Sequence, residues 1–420
     1  MTSIKPFDIS KRKVLEAYWR VKANRGAAGV DGESLTMFEA DLSRNLYKLW
    51  NRLASESYFS PPVKQVEIPK KHGGVRILGV PTVADRIAQQ VVKARIEGEF
   101  EGLFHPDSYG YRPKESAADA VAVTRRRCWK YDWVVEFDIR RAFDELDWEL
   151  LRTAIYKHVK DAWALLYLER WLSASAVSPD GQAVRRTKGV PQDSVIGPLM
   201  MNLYMHYCFD AWMQRERRRN PFARYCDDAV AHCRSESEAT ALLADIDKRL
   251  RVCKLQMHPE KSGVVYCKDA NRRGQYPRIQ FTFLGYTFRP RRAKIRNGRA
   301  WTSFQPAVSA AAIQRMSRTI REWHLPRQTP ASLNVLAIRY TAILSGSLNY
   351  YGRFYRSAMQ DLFDRFDQSL LRWARCKYRR FARHPRRARR WLQQMVDRQP
   401  RLFTHWLAFG KVTVRTMGAV

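Results

Sequence analysis

Hydrophobic and polar positions change rhythm along this chain. Up to about residue 53 the apolar residues recur at helical steps, interrupted by Asn24-Arg25-Gly26-Ala27-Ala28-Gly29-Val30-Asp31-Gly32. Three glycines in that stretch predict a loop that bends sharply or lets backbone approach a ligand. From about 61 to 288 strands mix with helices. Residues 63–69 alternate like a half-buried strand and run through Lys70-Lys71-His72-Gly73-Gly74 into Val75-Arg76-Ile77, a hairpin signature with Gly-Gly at the turn, and residues 83–100 then read as a helix. After about 306 the strands stop. Helical periodicity appears over 310–323, 331–344, 358–381 and 386–396; in the third, Met359, Leu362, Phe363, Phe366, Leu370, Trp373 and Ala374 fall at three- and four-residue steps. The pattern predicts an α+β body followed by a helical domain, joined through the Arg- and Gly-rich stretch 289–305.

Within the mixed region two segments carry chemistry. Val134-Val135-Glu136-Phe137-Asp138-Ile139-Arg140-Arg141-Ala142-Phe143-Asp144 and Arg224-Tyr225-Cys226-Asp227-Asp228-Ala229-Val230 both place acids in or at the tip of a β-branched or aromatic run. If the two strands lie side by side, Asp138, Asp227 and Asp228 converge. Like charges that close repel unless cations lie between them, so such a pocket asks for divalent metal. Two bound metals suit phosphoryl transfer, which makes a nucleotidyl transferase the expected class.

Charge names the partner. Lys plus Arg number 75 against 41 Asp plus Glu in 420 residues, a formal net charge of +34, and such a field draws polyanions. Nucleic acid is the expected ligand. No apolar run approaches the ~18 residues of a spanning helix, and no secretory stretch or lipidation signal is present, so no membrane is expected and a cytoplasmic location is. The seven cysteines are scattered without metal-ligand spacing, and the nine histidines form no cluster, which excludes a zinc site or disulfide framework as the organising device.

A family resemblance now attaches to named residues. Pro69 to Pro81, Ser108-Tyr109-Gly110-Tyr111-Arg112-Pro113, Phe137-Asp138 to Phe143-Asp144, Gly189-Val190-Pro191-Gln192, Tyr225-Cys226-Asp227-Asp228, His258-Pro259-Glu260-Lys261 and Phe283-Leu284-Gly285-Tyr286 together resemble the ordered blocks of group II intron reverse transcriptases. Asn349-Tyr350-Tyr351-Gly352 and Leu402 to Trp406 resemble the maturase, or thumb, domain that follows in that family. The resemblance implies a right-hand polymerase with fingers and palm, then an all-α thumb/maturase domain. Its implied divisions are an N-terminal helical extension (1–60), fingers and palm (61–300), thumb/maturase (301–407) and a short tail (408–420).

Roles follow by position. The resemblance implies that Asp138 bridges two Mg²⁺ ions, with Asp227, Asp228 and the backbone carbonyl of Ile139 as further oxygen donors. It also implies that Lys70 and Arg76 hold the triphosphate of a dNTP, that Phe143 crowds a 2′-hydroxyl, that Gln192 positions the nucleotide and that Lys261 protonates departing pyrophosphate. Two departures stand out. Asp193-Ser194 replaces the two glycines that usually follow Pro-Gln, and Cys226 stands where the family more often has Ala.

The helical domain is dense in cations. Arg372, Arg375, Lys377, Arg379, Arg380, Arg383, Arg386, Arg387, Arg389 and Arg390 interleave with Trp373, Tyr378, Phe381 and Trp391. Guanidinium groups bind phosphates and stack on bases, so this set is expected to grip a template–primer duplex or intron RNA. With only 408–420 after that domain and no Cys/His cluster, no endonuclease is expected. Three readings stay open: an RNA-directed DNA polymerase that also assists splicing and mobility of its group II intron, a domesticated relative acting in DNA repair or phage defence, and an RNA-binding splicing cofactor with a vestigial polymerase. The expected partners are an RNA template with DNA or RNA primer and group II intron RNA, bound by a monomer.

Overall fold

The computed structural model describes residues 5–69, 75–294 and 300–410. Its described strands are β1 Val63–Pro69, β2 Val75–Val80, β3 Trp133–Asp138, β4 Ala176–Val177, β5 Ala183–Val184, β6 Phe222–Tyr225, β7 Asp228–Cys233, β8 Gly263–Tyr266, β9 Phe281–Phe283, β10 Tyr286–Lys294 and β11 Ala300–Val308. They form three sheets, ordered β2-β1-β4-β5, β6-β7-β3-β8 and β11-β10-β9. The chain divides into two compact units: Met1–Ala120 with Val135–Val264, and Val121–Val134 with Val265–Val420. The mixed α/β body followed by helices agrees with the sequence pattern.

In the first unit, helices Lys11–Asn24, Leu35–Ala40 and Leu42–Ala54 precede the expected hairpin. β1 and β2 pair antiparallel from Lys64↔Val80 to Pro69↔Val75. Its turn, including Lys70, lies outside the described residues. The helix Val83–Glu101 starts where the Thr82 side chain accepts the Asp85 amide, and it buries residues on every side, polar ones included. For Asp85 and Gln89 that burial is tolerated because their polar atoms find partners. Tyr58 and Trp171 each donate to Asp85 at 2.8 Å, and Gln89 Nε2 donates to the same carboxylate at 2.9 Å. Gln89 Oε1 then accepts the Val195 amide at 3.0 Å, which fixes the chain just after Gln192.

β3 is the buried centre of its sheet. Val134, Val135 and Phe137 have no exposed surface, with the half-buried Glu136 between the last two. The strand ends at Asp138.

The second unit departs from the expectation in two places. Residues 289–305, read as a linker, are mostly the two strands of a long ribbon: β10 and β11 pair antiparallel from Tyr286↔Val308 to Lys294↔Ala300. The domain expected to be all-α from residue 301 therefore begins with a strand. Arginine and glycine content hid an alternating pattern in which Tyr286, Phe288 and Phe304 are fully buried. Likewise the single helix expected over 358–381 is a 3₁₀ turn Arg356–Met359, an α-helix Gln360–Lys377 and a second 3₁₀ turn Arg379–Phe381. Tyr378 leaves the helical region at φ −109°, ψ 111°, while Lys377 Nζ donates to the Thr329 carbonyl at 2.6 Å.

The core of this unit gathers Phe366, Leu370 and Trp373 without exposed surface. A buried polar link crosses it: Asp367 Oδ1 lies 2.9 Å from His405 Nε2 and accepts Trp406 Nε1 at 3.0 Å. Six of the seven cysteines in the chain are buried, and Cys376 is exposed. Among the described residues no helix is long and apolar enough to cross a membrane.

Phe366 touches three aromatic neighbours, Trp323, Phe403 and His405. Phe366→Ala is expected to cost ~3–5 kcal/mol in the denaturant transition of this unit, followed by circular dichroism in urea.

Candidate active site

β6 and β7 are joined by a turn of two residues, Cys226 and Asp227, with Tyr225 opposite Asp228. A turn this short in a twisted hairpin demands positive φ at its first position, normally a glycine's place. Cys226 takes it at φ +62°. The strained turn is wedged from below by Gly110, where an added Cβ would sit 2.5 Å from the Cys226 amide nitrogen and 2.9 Å from the Tyr225 carbonyl carbon. Only a residue without a side chain fits.

Asp138 reaches the same region from the end of β3. Its carbonyl accepts the His258 amide at 2.8 Å, and its amide donates to Ser262 Oγ at 3.3 Å. Arg140 N donates to Gln256 O at 2.9 Å, so the segment 256–258 takes the bonds of residues 138 and 140 and leaves the Ile139 C=O pointing to the opposite edge of the strand. Lys261 Nζ closes on Asp138 Oδ2 at 2.5 Å.

Electrostatics tie the parts together. The half-buried Asp227 carboxyl is pushed above the usual carboxylate range, mainly by burial, with the negative charge of Asp138 adding to it. Arg76 and Lys261 act in the opposite direction, so both cations lie within electrostatic reach of Asp227. Arg76 is also held in place: its Nε donates to Gln192 Oε1 at 2.9 Å, and Gln192 Nε2 lies 3.4 Å from each oxygen of Asp144.

Phe143 follows Arg141, which is at φ +49°, in the short helix Ala142–Glu145. Its carbonyl accepts the Val190 amide at 2.8 Å, and Gly189 presses on Asp144, where a Cβ would come within 2.5 Å of the carbonyl oxygen. Phe143 and Gln192 thus sit on adjoining segments clamped by main-chain bonds. A cleft of about 210 Å³ opens between them and β1–β2, lined by Gln65, Ile77, Arg141, Asp144, Lys188 and Gln192.

Among the described residues no group of three or more His, Cys, Asp or Glu side chains stands ready to hold a metal ion. Asp227 is in the turn while Asp228 already belongs to β7, opposite Tyr225, and successive positions diverge. Asp138 and Asp227 form a pair of acids within electrostatic reach of one another. Its hard oxygen donors fit Mg²⁺, which binds to few protein ligands and completes its shell with water and substrate phosphates.

Sequence reading missed Asp144 as the acceptor for Gln192. It also missed Arg224, whose signal was a lone cation inside the apolar strand Phe222–Tyr225. In the second unit the cations Arg372, Arg375, Arg379, Arg380, Arg383, Arg386, Arg387, Arg389 and Arg390 are exposed, with Lys377 half-buried. In the helix Pro385–Arg398 the residues Ala388, Leu392 and Val396 face the core, leaving the arginines on other faces. Lys377 and Arg375 donate to main-chain carbonyls, so part of the set serves the fold.

Fold and site define a polymerase-type protein, and comparison with known proteins agrees. The reverse transcriptase (RNA-dependent DNA polymerase) family matches residues 68–288, and the chain belongs to it. The group II intron, maturase-specific domain matches residues 313–391. Protein YkfC of Escherichia coli K12 is 31% identical over 216 residues, covering 49% of this chain and 56% of that protein. Group II intron-encoded protein LtrA of Lactococcus lactis subsp. cremoris is 29% identical over 193 residues, 45% of this chain and 32% of LtrA. The putative COX1/OXI3 intron 2 protein of Saccharomyces cerevisiae is 25% identical over 243 residues, 55% and 28% respectively. In each case the match spans less than two thirds of the relative.

The raised Asp227 carboxyl fixes the sign of a stability test. The metal-free fold binds its proton at a pH where the unfolded chain has lost it, so stability falls as pH rises through the folded value. Asp227→Asn is expected to raise the thermal midpoint of the metal-free protein at pH 7.5 and to flatten that decline, as read by differential scanning calorimetry from the ordinary carboxylate range, about pH 4, upward.

Proposed function

We propose that this chain is an RNA-directed DNA polymerase that also binds group II intron RNA and assists its splicing and mobility. The observation that carries the reading is the meeting of Asp138, from the end of β3, with Asp227, in a turn held at positive φ, within reach of Arg76 and Lys261. Residues 61–300 serve as fingers and palm, and residues 301–407 as thumb and maturase domain.

The reaction joins the primer 3′-oxygen to the α-phosphorus of a dNTP while the bond to the pyrophosphate oxygen breaks. The 3′-hydroxyl proton is lost, and pyrophosphate gains one. Asp138, Asp227, Asp228 and the Ile139 carbonyl would hold two Mg²⁺ ions, which would supply Lewis acidity to the displacement. Arg76 offsets triphosphate charge, and its bond from Nε to Gln192 orients both side chains toward the incoming nucleotide. Lys70, next in sequence after β1, joins Arg76 in this role. Phe143, clamped through Val190, obstructs a 2′-hydroxyl and so favours deoxynucleotides. Lys261 has two duties in sequence: its ammonium compensates Asp138 before substrate enters, and it then delivers a proton to pyrophosphate.

The exposed arginines of residues 372–390 supply sequence-independent grip on RNA. Template RNA, a DNA or RNA primer and structured intron RNA are the partners this surface suits.

Primer extension on an RNA template with Mg²⁺ tests the polymerase. Asp227→Ala and Asp138→Asn are each expected to reduce it at least ~1,000-fold while RNA binding stays intact; an inactive wild-type protein that still promotes intron splicing would favour a vestigial polymerase. Replacing Arg386, Arg387, Arg389 and Arg390 together by Ala is expected to weaken RNA binding and to lower the slope of log affinity against log salt by up to about three, measured by filter binding.

A further inference from the structure

Arg224 lies in β6 two residues before the catalytic turn and is wholly buried, as is Asp210, its ion-pair partner. A guanidinium taken out of water is costly unless every donor is used. Here all five are. Nε donates to Asp210 Oδ1 at 2.7 Å, and Nη2 donates to Asp210 Oδ2 at 2.6 Å and to Ser108 Oγ at 2.7 Å. Nη1 donates to Asn202 Oδ1 at 3.0 Å and to the carbonyl of Cys226 at 2.8 Å. Asn202 in turn donates to the carbonyl of Gly110 at 2.6 Å, the glycine on which the turn rests. Main-chain bonds complete the cradle: Tyr109 N donates to Arg224 O at 2.8 Å, and Arg224 N to Asp107 O at 2.9 Å.

The bond to Cys226 is the informative one. That carbonyl belongs to the peptide linking Cys226 to Asp227, so its orientation sets where the Asp227 carboxylate points. A peptide following a residue at φ +62° has no regular ladder to hold it. We infer that Arg224 is a positioning residue: seated on Asp210, it holds the Cys226–Asp227 peptide, and thereby the Asp227 carboxylate, in the orientation that binds divalent metal. Lysine keeps the charge but cannot reach Asp210 and Cys226 in one planar fork. This inference rests on the proposed metal-dependent polymerase and adds to it a residue that touches neither substrate nor ion.

Manganese binding to the full-length protein, followed by electron paramagnetic resonance, gives a readout independent of turnover. Asp227→Ala is expected to abolish the site. Arg224→Lys is expected to weaken Mn²⁺ about tenfold and to lower kcat for primer extension about 100-fold, with KM for dNTP changed less than about twofold. Asn202→Ala, which removes one acceptor from Nη1 but leaves the ion pair, is expected to weaken Mn²⁺ about threefold and decides the matter if Arg224→Lys does not fold. Leu242→Ala, a core change in the helix Glu236–Val252, serves as the destabilised control and is expected to leave Mn²⁺ affinity unchanged. Wild-type Mn²⁺ affinity in the folded Arg224 or Asn202 variant, or an equal loss in the Leu242 variant, overturns the inference alone. If Asp227→Ala leaves Mn²⁺ binding unchanged, the active-site reading and this inference fall together.

Discussion

Holding two carboxylates near one another runs against their repulsion, and the first unit is organised around resisting it. Asp138 is fixed at the end of β3, its carbonyl and amide both bonded to the segment 256–262. Asp227 is fixed by a turn that cannot relax, because Gly110 fills the space beneath it and Arg224 holds its peptide. Lys261 and Arg76 then supply positive charge from two separate segments. The site is therefore prepared for a cation by backbone rigidity and not by the side chains alone.

The same logic extends to substrate selection. Arg76, Gln192 and Asp144 form a chain of contacts across the face of the cleft, and Phe143 and Val190 are joined through main chain. Each of these residues owes its place to a neighbour in a different block of sequence. The departure at Asp193 fits this picture: it adopts φ +85°, the conformation a glycine would take, and its charge acts on Arg86, whose guanidinium donates to the carbonyls of Arg25 and Ala27 in the glycine loop. A carboxylate in place of glycine has thus found a cation to offset it, with the conformational cost retained.

Much of this was legible beforehand. The β1–β2 hairpin, the helix after it, the strand ending at Asp138 and the acidic turn all follow from periodicity and from where polarity interrupts an apolar run. The β10–β11 ribbon was not legible, because arginines on its accessible positions masked alternation and made a strand look like a linker. Arg224 was overlooked for a different reason: a single charge in a strand reads as surface until its four partners, drawn from residues 108, 202, 210 and 226, are seen around it.

Burial of six thiols leaves Cys376 as the accessible one, and it sits on the helix Gln360–Lys377 amid the arginines proposed to meet RNA. Nature has in effect provided a single chemical handle beside that surface. A maleimide dye would attach there without any engineering of the chain, and its emission would report directly on RNA arriving and leaving.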